Sequence, residues 1–266
     1  MSLNELKILI RGAGEVASAV AHKLAMSNFR VCLTDIAQPV AVSRGVSFCE
    51  AIWDGDINVA GVTGRLAHSA EEIYTTWQAK EVPVLVDPET KIKDTLKPDV
   101  LIDAIMAKKN LGTQITDAPL VIGLGAGFRV GRDVHLIVET NNSENIGKVL
   151  TSGEAEPANL TPVEVCGKTY ERLLRHPESG PFRSVKHMGD MVKAGDVVGF
   201  INDTPVRAQI DGVVRALIRD GVTVPPLTKL GEIDPRGEVW LCYAIRPRMR
   251  VIAGGVLEAI LYKLNR

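Results

Sequence analysis

The apolar run from Leu6 to Ile10 leads directly into Gly12-Ala13-Gly14, and from Val16 to Leu24 apolar residues return at helical spacing. A short continuous apolar run suits a strand buried on both faces, and the spacing after it suits a helix. A second such run, Val31 to Thr34, ends at Asp35. This is a strand–helix–strand unit of ordinary length. Its glycine pattern, Gly12-x-Gly14-x-x-Ala17, restricts what it can do. The first glycine permits a tight turn, the second lets a phosphate approach the backbone, and the small Ala17 lets helix and strand pack closely. Amides left over at the helix start then bind the anion. The residues expected to line the ligand are Gly12, Ala13, Gly14, Glu15, Val16 and Ala17.

The alternation continues. Ser69, with Glu72 three residues on, makes a capping box. Strands are expected at Pro83 to Val86, Val100 to Ile102, Leu120 to Ile122 and Val134 to Val138. They end respectively at Asp87-Pro88, at Asp103, at the glycine-rich Gly123-Leu-Gly-Ala-Gly127 and at Glu139-Thr140. Strands that alternate with helices or loops imply a parallel sheet covered on both faces. The expectation is a Rossmann-like parallel-sheet domain over residues 1–155. Asp35 is the candidate ribose partner. No arginine follows it until Arg44, which favours an NAD-like ligand over an NADP-like one. Gly123, Gly125 and Gly127 are placed to share the crevice at the carboxyl ends of the strands, though a plain connection fits them equally. Asp103 and Glu139 are either crevice-facing acids or turn residues.

From Glu154-Ala-Glu-Pro-Ala-Asn onward the texture changes to short strands broken by Gly-Asp and Asp-Gly, and Val206, Ala208 and Ile210 alternate with polar neighbours. Residues 156–266 therefore read as a small all-β domain closed by an amphipathic helix from Gly254 to Leu264.

Other classes find no support. Lys plus Arg is 31 and Asp plus Glu 32, which gives no basic surface for nucleic acid. Cys32, Cys49, Cys166 and Cys242 lie far apart with no C-x-x-C spacing, so they read as reduced thiols, the roles of Cys49 and Cys166 staying open. His22, His68, His135, His176 and His187 show no metal-ligand spacing, and no metal is expected. No targeting peptide or bilayer-length apolar run is seen, so the expected location is cytoplasmic, with no membrane partner.

Two resemblances add to this reading. Gly189-Asp190-Met-Val192, Gly195-Asp196, Ile210-Asp-Gly212 and Asp220-Gly221 resemble the layout of biotinyl and lipoyl carrier domains. The resemblance implies a barrel-sandwich of two like halves. Those domains carry a modified lysine on the turn between the halves. This chain has Asn202-Asp-Thr-Pro-Val206 there, with Lys193 and Lys229 off the turn, so neither biotin nor lipoate is expected. The whole chain resembles the YqeB-like family of accessory proteins of selenium-dependent molybdenum hydroxylases. That likeness rests on Gly12-Ala-Gly14 with Ala17, Ser47-Phe-Cys-Glu-Ala51, Gly123 to Asp133, Ile137-Val-Glu-Thr140, Tyr170-Glu-Arg172, Ile233-Asp-Pro-Arg-Gly237 and Ile252 to Ile260. Two departures stand out. Asn141-Asn-Ser-Glu-Asn145 replaces a basic, histidine-bearing stretch of the family, and Ala126 replaces a proline.

The resemblance implies an accessory or maturation factor with a molybdenum hydroxylase as partner. It would bind a small nucleotide, an NAD-like dinucleotide or the molybdopterin cofactor across the Gly12 and Gly123 loops. The alternatives are an NAD-dependent oxidoreductase, for which no Ser/Tyr/Lys set is seen, and a nucleotide-sensing or interaction module. Whether a reaction is catalysed, and by which residues, stays open, as does homo-oligomerisation.

Overall fold

The computed structural model describes residues 3–159 and 161–264. Met1 and Ser2, which open the stretch read above for a targeting signal, lie outside the described residues. The chain divides into two compact units. The first comprises Met1–Pro39, Ser47–Asn159 and Ile245–Arg266, and the second Val40–Val46 and Leu160–Ala244. This division differs from a single cut at 155/156. The final helix belongs to the first unit.

The first unit is built on β1 (Lys7–Arg11), α1 (Glu15–Met26), β2 (Arg30–Asp35), α2 (Ala51–Asp54), β3 (Asp56–Val59), β4 (Val62–Leu66), α3 (Ala70–Gln78), β5 (Val82–Val86), α4 (Lys93–Leu96), β6 (Val100–Asp103), β7 (Leu120–Leu124), β8 (Leu136–Val138) and β9 (Val149–Leu150). They form one nine-stranded sheet in the order β3-β4-β5-β2-β1-β6-β7-β8-β9. The strands from β4 to β8 run parallel. The β3–β4 and β8–β9 edge pairs are antiparallel. Every residue of β6, β7 and β8 is buried, as their unbroken apolar runs require.

The expected fold is corrected here. The sheet is mixed, and the helices that would wind it on both faces are missing where they matter. Among the described residues, 104–119 and 125–135 connect β6, β7 and β8 without a helix. Cover comes instead from the far end of the chain, where α5 (Pro247–Leu264) packs on α1, β7, β8 and β9. Pro247 opens it, a position at which proline forfeits no helical hydrogen bond. The second unit is likewise not the expected barrel-sandwich. Its strands are β10 (Leu173–Arg175), β11 (Gly180–Ser184), β12 (Met191–Val192), β13 (Val197–Ile201), β14 (Thr204–Arg207), β15 (Gly212–Leu217), β16 (Thr223–Val224) and β17 (Lys229–Asp234). They form two antiparallel sheets of four strands each, β10-β17-β15-β12 and β14-β13-β11-β16. The Ile233-Asp-Pro-Arg-Gly237 stretch ends β17. There the fully buried Asp234 accepts from Arg215 Nη1 (2.9 Å) and from Arg236 Nη2 (2.6 Å) and Nε (2.9 Å). Two cations on one carboxylate hold the strand end and its turn together.

α5 meets the sheet through a glycine. A side chain at Gly255 would sit 2.1 Å from the Gly147 carbonyl oxygen, whereas one at Gly254 meets nothing within 4 Å. Gly254→Ala is therefore expected to stabilise the protein by up to about 1 kcal/mol through helix propensity. Gly255→Ala is expected to destabilise it by about 1–3 kcal/mol through overpacking. Urea unfolding midpoints measure both, and equal midpoints for the two variants would contradict the docking of α5 described here.

Candidate phosphate-binding turn

The chain leaves β1 through Gly12, whose φ is +96°. A Cβ there would lie 3.0 Å from the Ala104 carbonyl oxygen, so both backbone conformation and close approach demand glycine. The turn then disposes of its amides in two groups. Gly12 N–H donates to the Thr34 carbonyl (2.7 Å), and Ala13 N–H to Asp35 Oδ2 (2.7 Å). Beyond them Gly14 caps α1 with no side-chain hydrogen bond, and the first helical bond is Ser18 N–H to the Gly14 carbonyl (2.8 Å). Among the described residues, the N–H groups of Gly14, Val16 and Ala17 donate to no protein acceptor. A Cβ at Gly14 would meet nothing within 4 Å. Unengaged amides at a helix start facing open space attract an anion.

The turn is braced from behind. Ser18 Oγ donates to the Ala13 carbonyl (2.9 Å) and accepts from Phe48 N–H (2.7 Å). Cys49 N–H donates to the same Ala13 carbonyl (2.9 Å). This gives Ser47-Phe-Cys-Glu-Ala51 a positioning role, and Cys49 is fully buried in it.

Two arginines that the sequence reading missed reach this site from the start of α5. Arg246 Nε pairs with Glu15 Oε1 at 2.9 Å. Arg248 Nη2 donates to the Thr140 carbonyl at 2.6 Å, and its buried Nε has no acceptor among the described residues. Burial pushes the Arg248 pKa down, with Glu15 opposing that and Arg246 adding to it. One signal was available in sequence. Arg246, Arg248 and Arg250 crowd the beginning of a helix, where its dipole disfavours cations.

The remaining candidates separate. Asp35 accepts at Oδ2 from Ala13 N–H and at Oδ1 from Ile36 N–H (2.8 Å), so its carboxylate braces the turn. Burial raises its pKa, and the two amides oppose the rise. The second glycine loop is explained by packing. A Cβ at Gly123 would lie 2.6 Å from the Phe128 ring, one at Gly125 2.2 Å from Thr140 Oγ1, and one at Gly127 2.6 Å from Lys109 N. Residues 104–109 abut Gly12 at one end and Gly127 at the other, and so lie between the two glycine turns. Asp103 and Glu139 are structural. Asp103 accepts from Arg11 Nη1 (3.2 Å), Thr113 Oγ1 (2.6 Å) and Ile105 N–H (3.2 Å). Glu139 accepts from the amides of Thr140, Asn141 and Glu156, each at 2.7 Å. Among the described residues, no group of three or more His, Cys, Asp or Glu is placed to hold a metal ion. No described helix is long and apolar enough to cross a membrane.

No protein-family model matches the chain. Over 259 residues, 97% of its length, the chain is 40% identical to "Uncharacterized protein YqeB" of Escherichia coli (strain K12). It spans about half of that relative, 48% of its length. This likeness supports the YqeB-like resemblance along nearly the whole chain. Among solved structures, the product-bound ectoine utilization protein EutE (DoeB) from Ruegeria pomeroyi is 11% identical with TM-score 0.26, covering 86% of this chain and 85% of that one. A succinylglutamate desuccinylase/aspartoacylase from Rhodobacter sphaeroides is 14% identical with TM-score 0.26 and the same coverages. Likenesses this slight carry neither a fold nor a chemistry across.

The two glycines of the turn are expected to behave oppositely. Gly12→Ala should cost about 1–3 kcal/mol of stability through forced φ and contact with Ala104. Gly14→Ala should stay within about 0.5 kcal/mol of the native protein. Thermal and urea unfolding of the two variants test this, and a destabilised Gly14→Ala would mean that the space before Gly14 is not open.

Proposed function

We propose that this chain binds a phosphate-bearing small molecule at the amino end of α1, a nucleotide, an NAD-like dinucleotide or the molybdopterin cofactor, and acts as an accessory or maturation factor for molybdenum hydroxylases. The observation that carries the binding half is the pairing of open space before Gly14 with unengaged amides at Gly14, Val16 and Ala17. Arg248, with a buried donor and no acceptor for it among the described residues, supplies a fixed cation within electrostatic reach of Glu15 in the same first turn. Together they offer an anion directional donors and charge in a partly desolvated place, where each counts for more than in water. Glu15 limits the charge the site gains, since it stands in the first turn and neutralises Arg246. The site thus favours an anion that reaches the amides and Arg248 directly. Asp35 already accepts one amide on each oxygen, and its remaining lone pairs are what a ribose hydroxyl would use. The hydroxylase half rests on the YqeB-like resemblance, and the second unit is the surface proposed to dock that partner.

The test is calorimetric titration of the protein with a panel of nucleotides, NAD and isolated molybdenum cofactor. Gly14→Val and Arg248→Met are each expected to weaken binding by at least about tenfold, or roughly 1.4 kcal/mol. For Gly14→Val the unfolding midpoint of the ligand-free protein should stay unchanged. Undiminished affinity in Gly14→Val would overturn the assignment of the turn. Turnover of NAD by the native protein would instead favour the oxidoreductase.

A further inference from the structure

In the second unit, the turn gripped by Asp234 and its two arginines leads straight into a 3₁₀ segment, Val239–Tyr243, that reads Val-Trp-Leu-Cys-Tyr. None of its five residues is charged. Leu241 and Cys242 face inward, the Cys242 thiol reaching the Val214 carbonyl at 3.6 Å. The other three face out: Trp240 is 63% exposed, Tyr243 55% and Val239 47%. Residues three apart eclipse one another in such a helix, so Trp240 and Tyr243 share a side. Met191, 58% exposed, extends the patch. A Cβ at Gly237 would lie 3.3 Å from Met191 Cε, and one at Gly189 3.4 Å from Val239 Cγ1. A Cβ at Gly45 would lie 2.8 Å from the Tyr243 ring, so glycine there lets the ring lie flat against the backbone. The aromatic pair is thus seated on one side and held by a buried ionic anchor on the other.

A single exposed apolar residue needs no explanation. Four that adjoin, with Trp, Tyr and Met among them, have the composition of an interface core, and Trp and Tyr are its usual anchors. Taking roughly 150–250 Å² for each aromatic side chain, the exposed parts of the four come to about 400 Å². That is the apolar share of the roughly 800 Å² that each partner gives to a specific interface. The occupant follows from the length of the relative. This chain matches 48% of the Escherichia coli protein at 40% identity, so there the same fold is continuous with about as much chain again. A segment joined to the fold meets the patch at an effective concentration on the order of millimolar, which a second free copy does not reach. We propose that Met191, Val239, Trp240 and Tyr243 form the docking face for the half of a YqeB-like protein that this chain does not match. The proposal does not rest on the phosphate turn, and it leaves the rest of the second unit's surface to a hydroxylase.

The test uses full-length Escherichia coli YqeB carrying the photo-cross-linker p-benzoylphenylalanine at the position aligned with Trp240, with the products mapped by mass spectrometry. Cross-links are expected in the half outside the match. Cross-links confined to the matched half, cross-links between two copies, or none at all would overturn the proposal. This chain by itself is expected to sediment as a monomer at micromolar concentration, and Trp240→Asp to melt at the temperature of the native chain. A dimer that Trp240→Asp dissociates would give the patch to a second copy. A lowered melting temperature in Trp240→Asp would mean that the indole is packed within this chain. Either result sinks the assignment.

Discussion

A strand that turns straight into a helix leaves backbone N–H groups without carbonyl partners, and where those groups find acceptors decides what the turn is for. Here the division falls inside three residues. Gly12 and Ala13 give their amides to β2, through the Thr34 carbonyl and the Asp35 carboxylate. Gly14, Val16 and Ala17 give theirs to no acceptor among the described residues. The inward pair fixes the turn against the next strand, and the unengaged set is thereby held still. Preorganised donors have no ordering cost on binding, so under the proposed phosphate reading the rigidity of the first pair would serve the affinity of the second. The Ser18 hydroxyl and the Cys49 amide, both on the Ala13 carbonyl, extend the same bracing to residues thirty positions downstream.

This turn was legible in sequence because its determinants are local. A positive φ at Gly12, an open approach at Gly14 and close packing at Ala17 all follow from residues within one strand–helix junction. The strand starts near 7, 30, 82, 100, 120 and 136 were legible for the same reason, since continuous apolar runs mark strands buried on both faces. What failed was everything that depends on distant partners. The β3–β4 hairpin reads Asp-Ile-Asn-Val then Val-Thr-Gly-Arg-Leu, with too little apolar alternation to announce itself. The sequence predicts a parallel sheet throughout because buried strands look alike whichever way an edge neighbour runs.

The missing crossover helices explain the rest of the misreading. Residues 104–119 and 125–135 carry Asn110, Gly112, Gly125, Gly127 and Gly131, which suit turns rather than helices. A parallel sheet with such connections is left with an uncovered apolar face, and some other segment must cover it. That segment is α5, more than a hundred residues after β8, which docks through Gly255 against the Gly147 carbonyl. No local pattern near β7 or β8 announces that partner.

The return of α5 also brings the arginines, and their placement needs a cause beyond packing. A helix start carries partial positive charge, and each added cation there is unfavourable by some tenths of a kcal/mol to about 1. Arg246 is answered by Glu15 and one nitrogen of Arg248 by the Thr140 carbonyl. Arg248 Nε is answered by nothing among the described residues, though it is buried. Native folds seldom leave such a donor idle, because its desolvation is not repaid. The amino ends of α1 and α5 thus bring two helix dipoles and an under-satisfied guanidinium toward the same place. Repulsion of that kind is relieved when an anion is present, and this is the physical ground on which the proposed binding at the turn rests.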